Sequence, residues 1–130
     1  MVNLIAIIGP TATGKSRFAI DLAESVDGEI INADSKQIYK YMDIGTSIPD
    51  SFQTAKVKHH MYKLVNPDQP FSLGVYLDHA RRTIDDVLKK GKLPILVGGT
   101  AQYIWAILEG WQVPRVPPNP SLRTELENLV

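Results

Sequence analysis

Apolar and polar positions along the chain switch repeatedly between short strand-like runs and helical spacing. Leu4-Ile5-Ala6-Ile7-Ile8 is an apolar run of strand length. Phe18, Ala19, Leu22, Ala23 and Val26 then share one helical face, which predicts a helix over 15–26 closed by Asp27-Gly28. Glu29-Ile30-Ile31-Asn32-Ala33 reads as a second strand that stops at Asp34-Ser35, and residues 57–65 as a third extended piece. Ser72 is a helix N-cap for a segment reaching about Lys90, with Leu73, Tyr76, Leu77, Ala80, Ile84, Val87 and Leu88 at helical spacing and Gly91 as its stop. Leu93-Pro94-Ile95-Leu96-Val97 is a buried-type strand, and Pro94 is tolerated near its start. Gly98-Gly99-Thr100 turns the chain into a helix over 101–109. Pro114 to Pro120 is a linker, and Asn119-Pro120 opens a last helical pattern carrying Leu122, Leu126 and Leu129.

Alternating strands and helices predict an α/β fold with a parallel sheet flanked by helices. Three strands are clear and a fourth is suggested, few for a sheet that must be covered on both faces. The sequence ends at Val130 inside a helical pattern. The expectation is therefore the N-terminal part of a longer enzyme. Residues 1–113 would form its core, and 114–130 a proline-rich linker and the start of a helix leading to a further region.

Composition narrows the class. With 44% hydrophobic and 22% charged residues the chain is an ordinary globular one. It has no cysteine, which removes disulfides, thiolate catalysis and cysteine-based zinc sites. No apolar run approaches a membrane span of about 20 residues, and no secretory signal precedes the first strand. A cytoplasmic monomer is expected. Fourteen Lys and Arg balance fourteen Asp and Glu, so the surface as a whole is not built to grip nucleic acid. Basic positions are local. Lys56, Lys58 and Lys63 suit either a solvated edge strand or a polyanion contact, whereas Lys89, Lys90 and Lys92 close a helix whose dipole favours positive charge.

The most specific motif is Gly9-Pro10-Thr11-Ala12-Thr13-Gly14-Lys15-Ser16, a complete G-x-x-x-x-G-K-S loop between a strand and a helix. Such a turn directs backbone N–H groups and the positive end of the helix dipole into one cavity. Lys15 adds a charge for the outer phosphates, and the Ser16 hydroxyl can hold Mg²⁺. The motif fixes di- or triphosphate binding but not the reaction. Asp34 ends the second strand on the same rim as the loop, where ligands of parallel sheets bind. A carboxylate there can hold a metal or take a proton, although Asp-Ser after a strand is also ordinary turn chemistry. Gly98-Gly99-Thr100 reaches that rim too. Adjacent His59 and His60 face opposite ways on a strand and do not suggest a metal.

Taken in order, these motifs resemble the tRNA dimethylallyltransferase family. The resemblance is carried by residues 9–16, by Asp34-Ser35-Lys36-Gln37-Ile38-Tyr39 and Met42-Asp43-Ile44-Gly45-Thr46, and by His59-His60. Phe71-Ser72 to Asp78-His79-Ala80 and Leu96-Val97-Gly98-Gly99-Thr100-Ala101-Gln102-Tyr103 extend it, and Ala106 to Gly110 closes it. It implies a P-loop NTPase-like fold that moves a dimethylallyl group from dimethylallyl diphosphate to N6 of the adenosine immediately 3′ of the anticodon in tRNA, with Mg²⁺. By the same resemblance Gly9 to Ser16 hold the diphosphate, and Thr11 and Lys15 act at the reacting bond. Asp34 is the base, and Asp34, Ser35, Lys36, Gln37, Thr100 and Arg123 contact tRNA. Thr13, Met61-Tyr62-Lys63 and Ala101-Gln102 depart from the usual pattern, and none touches a proposed catalytic group. A prenyltransferase acting on free adenine nucleotide, a small P-loop kinase and a binding fragment without turnover are the alternatives. The kinase would need an Arg-rich lid, which the sequence lacks.

Overall fold

In a computed structural model the chain is described over residues 3–9, 14–39, 56–66 and 68–112. The strands are β1 (Ile5–Ile8), β2 (Gly28–Asn32), β3 (His59–His60) and β4 (Leu93–Gly98), and the helices α1 (Lys15–Val26), α2 (Leu73–Lys89) and α3 (Ala101–Glu109). Among the described residues all strand pairings are parallel, in the order β1-β4-β2-β3. Residues 10–13, the linker and last helix from 114, the boundary at 113 and Arg123 lie outside the described residues.

Strand alternation sends side chains to two cores, one on each face of the sheet. Ile30, Ile95 and Val97 pack with Ala19, Ile20 and Ala23 of α1. Ile31 and Leu96 pack with Tyr76, Leu77 and Ala80 of α2 and Tyr103, Ile104 and Ala106 of α3. The sheet is thus covered on both faces, which is why β4 reads as a continuous apolar run rather than an alternating one.

Several boundaries follow their expected causes. Ser72 Oγ accepts the Val75 N–H at 3.2 Å and starts α2, and Gly91 lies beyond its end at φ 74°. Other details differ from the sequence reading. The packed face of α1 is Ala19, Ile20 and Ala23, while Phe18 is 60% and Val26 39% exposed. Two alanines one turn apart let the helix lie close to β2 and β4, and this rotates the larger Phe18 outward. Asp27, not glycine, takes the left-handed position that closes α1, at φ 54°. Gly28 belongs to β2, because a Cβ there would sit 2.8 Å from the Leu93 carbonyl and 2.9 Å from Ile95 Cδ1. The third extended piece shrinks to His59–His60, since Met61 and Lys63 turn the chain at φ 69° and 53°. Pairing resumes only at an isolated Tyr39–Val65 bridge. β3 is an edge of the sheet among the described residues, with Lys56, Lys58 and Lys63 exposed beside it, as the edge-strand reading expects.

Candidate active site

Because the strands run parallel, Ile8-Gly9, Asn32 to Asp34 and Gly98 to Thr100 all end on one rim. Gly14, in the left-handed region at φ 77°, opens α1 beside them and accepts the Phe18 N–H at 3.1 Å. Phe18 is thus the residue at which that bond pattern is seen to start, and the turn before it lies at the positive end of the helix. That end attracts anions, and it lies at the loop predicted to bind phosphates. Gly9, Gly14, Lys15 and Ser16 are described; Pro10, Thr11, Ala12 and Thr13 lie outside the described residues.

The Gly98-Gly99-Thr100 segment joins this end to Asp34. On one side the Gly9 N–H donates to the Gly98 carbonyl at 3.3 Å. On the other, the Thr100 N–H donates to the Ala33 carbonyl at 3.1 Å, and Thr100 Oγ1 accepts the Ser35 N–H at 2.9 Å. Thr100 also donates to Ser35 Oγ at 3.3 Å. Threonine stands at the N-cap of α3, yet its hydroxyl makes no cap bond there and instead fastens the turn across the rim. The glycines are needed for close approach. A Cβ at Gly98 would lie 2.2 Å from the Ala33 carbonyl group, and one at Gly99 would lie 3.2 Å from the Gly9 oxygen and 3.8 Å from Asp34 Oδ2. The Asp34 carboxylate therefore lies alongside the start of the phosphate loop.

Asp34 also performs the turn role its sequence context suggests. Its Oδ1 accepts the Lys36 N–H at 2.9 Å, and its carbonyl accepts the Gln37 N–H at 3.2 Å. Ser35 is half-buried and Lys36 exposed, whereas Gln37 is only 8% exposed. Tyr62 and Tyr103 feel the Asp34 charge, and burial first, then that charge, pushes the Tyr62 hydroxyl far above its ordinary range. Burial likewise raises Tyr103, helped by the charges of Tyr39 and Asp34. Both stay neutral donors at physiological pH.

Sequence reasoning missed Asn32 and Tyr76. Asn32 is fully buried, its side chain bonds the main chain of Asp34, and Tyr76 Oη donates to its carbonyl at 2.8 Å. The available signal was a side-chain amide at the end of a strand, two residues before Asp34. The two histidines do find separate partners: His59 Nδ1 meets the Val57 carbonyl and His60 Nε2 meets Glu29, each at 2.7 Å. Among the described residues no three His, Cys, Asp or Glu side chains cluster as metal ligands. Mg²⁺ keeps waters and phosphate oxygens around it, and the Ser16 hydroxyl in the first turn of α1 is a group that could hold it. No described helix is long and apolar enough to cross a membrane.

Comparison with known proteins places this geometry. A family model described as IPP transferase matches residues 37–130, and one described as isopentenyl transferase matches residues 2–60. The tRNA dimethylallyltransferase of Chloroflexus aurantiacus is 54% identical over 127 residues, which are 98% of this chain and 43% of that protein. The enzyme of the same name from Roseiflexus castenholzii is 52% identical over 127 residues, 98% of this chain and 42% of its own length. Among solved structures, the full-length tRNA isopentenylpyrophosphate transferase from Bacillus halodurans matches with a TM-score of 0.84 at 36% identity, over 99% of this chain and 43% of that one. A eukaryotic dimethylallyltransferase acting on tRNA matches with a TM-score of 0.77 at 30% identity, over 93% of this chain and 29% of that one. The chain thus spans less than half the length of these relatives.

Proposed function

The chain belongs to the IPP transferase family, and from that premise we propose that it supplies the diphosphate-binding and proton-accepting half of a tRNA dimethylallyltransferase. The substrate would be dimethylallyl diphosphate, and the acceptor N6 of the adenosine immediately 3′ of the tRNA anticodon. The observation that carries this reading is the bridge formed by Gly98 to Thr100, which ties Gly9 of the phosphate loop and the Asp34 turn into one rim. A transferase of this kind must hold a leaving group and a base a short distance apart.

The reaction breaks the bond between the allylic carbon and a diphosphate oxygen and forms one from that carbon to N6. The first-turn N–H groups of α1 and the Lys15 ammonium would stabilise the charge growing on the departing diphosphate. Thr11 would contact the oxygen that bridges carbon and phosphorus. Mg²⁺, held from the protein side by Ser16, would add charge neutralisation to the diphosphate. The exocyclic amine is a weak nucleophile, and Asp34 would take its proton. Ser35, Lys36, Gln37, Thr100 and Arg123 are proposed to meet tRNA; for Gln37 and Thr100, buried or already bonded to the turn, the contact would be through main chain or through the turn they support. Residues 114–130 would lead from this core to the rest of the enzyme.

The test is Asp34→Asn in the enzyme of full family length. Turnover should fall by about 10²–10⁴-fold, the usual worth of a general base, while calorimetric binding of dimethylallyl diphosphate is retained. Near-normal turnover would remove Asp34 from the mechanism.

A further inference from the structure

Asn32 is a polar side chain in a place where strands of a covered parallel sheet carry apolar ones. It is fully buried, and no buried side-chain polar atom among the described residues lacks a partner. Its amide is used on main chain alone. Nδ2 donates to the Asp34 carbonyl and to the Met61 carbonyl, each at 3.0 Å, and Oδ1 accepts the Asp34 N–H at 2.9 Å. One amide thus holds both main-chain polar groups of Asp34. No other side chain of this size offers two donors and an acceptor together: aspartate has no donor when ionised, and a hydroxyl has only one.

The clamp is itself held. Tyr76 of α2 donates its hydroxyl to the Asn32 carbonyl at 2.8 Å, and its ring stacks on Tyr103 of α3 with centroids 3.8 Å apart. The Met61 carbonyl adds the turn after β3. Asp34 is therefore fixed at its main chain by Asn32 and at Oδ1 by the Lys36 N–H, while Oδ2 lies toward Gly99.

We propose that Asn32 is a positioning residue, which aims the Asp34 carboxylate at the substrate and touches no substrate itself. This rests on the reading of Asp34 as the base. The prediction is that freeing Asp34 costs turnover and spares ligand binding, because a reacting group misplaced by about 1 Å loses about 10²-fold.

The experiment uses the full-length enzyme and a double-mutant cycle. Asn32→Ala should lower kcat by about 10- to 100-fold and leave the dissociation constant for dimethylallyl diphosphate unchanged. Asn32→Thr, whose hydroxyl can accept the Asp34 N–H and donate once, should recover part of the loss. Added to Asp34→Asn, Asn32→Ala should cause no further fall in kcat, since the group it aims is already gone. If Asn32→Ala instead lowers kcat by the same factor in both backgrounds, its role is general to the fold and the proposal fails. An unchanged kcat in Asn32→Ala overturns it equally. Normal turnover in Asp34→Asn alone would overturn the underlying assignment of the base, and the two failures are separately visible.

Discussion

At the N-terminal ends of β2 and β4, acids pair with lysines; at the C-terminal ends, the neutral side chains of Asn32 and Thr100 bind the main chain of the turn that carries Asp34. Below the sheet, Glu29 accepts from Lys90 Nζ at 2.8 and 2.9 Å and meets His60 Nε2 at 2.7 Å, and Lys92 reaches Asp27 at 2.8 Å. These contacts tie β2 to β3 and to the end of α2. A cavity of about 320 Å³ opens there among Glu24, Asp27, Lys56, Lys58 and Lys92, with acids and bases mixed along its walls. At the upper rim Asn32, Thr100 and Tyr76 immobilise the turn that carries Asp34, and glycines let three chain segments meet. The difference teaches how one small sheet serves two ends. Charge holds elements together where no chemistry is proposed, and neutral bonds set geometry where a carboxylate must keep its charge for a substrate. In parallel α/β sheets the carboxyl ends of the strands are where ligands bind.

Gly98→Ala is the strongest way to break the upper end. The added methyl meets Ala33 main chain at 2.2 Å, too close for a side-chain adjustment to relieve. Destabilisation of about 1–3 kcal/mol or more is expected from overpacking. Turnover per folded molecule should also fall by at least about 10-fold as the Asp34 turn is pushed from its place. Chemical denaturation and turnover measured on the same sample check both. A stable variant with full turnover would mean that the rim tolerates displacement.

Glu29→Gln sharpens the lower end with a smaller effect. Burial raises the Glu29 carboxyl, but the bonds and charges of Lys90 and His60 outweigh it and hold the group below its ordinary 4.5. For an acid with a depressed value, the stabilisation is complete above the ordinary value and is lost as pH falls through the folded one. Removing the acid should cost about 1–3 kcal/mol near neutrality, below the full worth of a buried pair because Lys90 is 41% exposed. It should also flatten the acid limb of stability below about pH 4.5. His59 acts separately. Burial, and then the charge of His60, outweigh the raising effect of the Val57 carbonyl and hold it below its ordinary 6.5. The loss of stability that begins as pH falls through that value should therefore persist in Glu29→Gln. Turnover per folded molecule should not change. Denaturant midpoints across pH, with activity normalised to folded protein, separate the two ends.

Much of this division was legible in the sequence, and unevenly so. The strand and the helix that flank residues 9–16, the Ser72 cap and the place of Asp34 at a strand end could all be read, because each rests on neighbours in the chain. What escaped depends on distant partners. Glu29 meets residues 31 and 61 positions away, so nothing local marks its pairing with His60 and Lys90. Gly28 looked like a turn glycine, but it is required by the neighbouring strand that lies close to it. Phe18 fits a helical stripe as well as Ile20 does, and only the position of the sheet decides between them. Asn32 looked like one more strand residue until its bonds to Asp34 were seen.

The most direct measurement is product analysis. An enzyme of full family length carrying this segment is incubated with labelled dimethylallyl diphosphate and tRNA, the tRNA is digested, and its nucleosides are separated. The account predicts label on N6 of the adenosine 3′ of the anticodon, with diphosphate released, and both slowed by about 10²–10⁴-fold when Asp34 is asparagine. Label on free adenine nucleotide with none in tRNA, or phosphate transfer from ATP in its place, would contradict it.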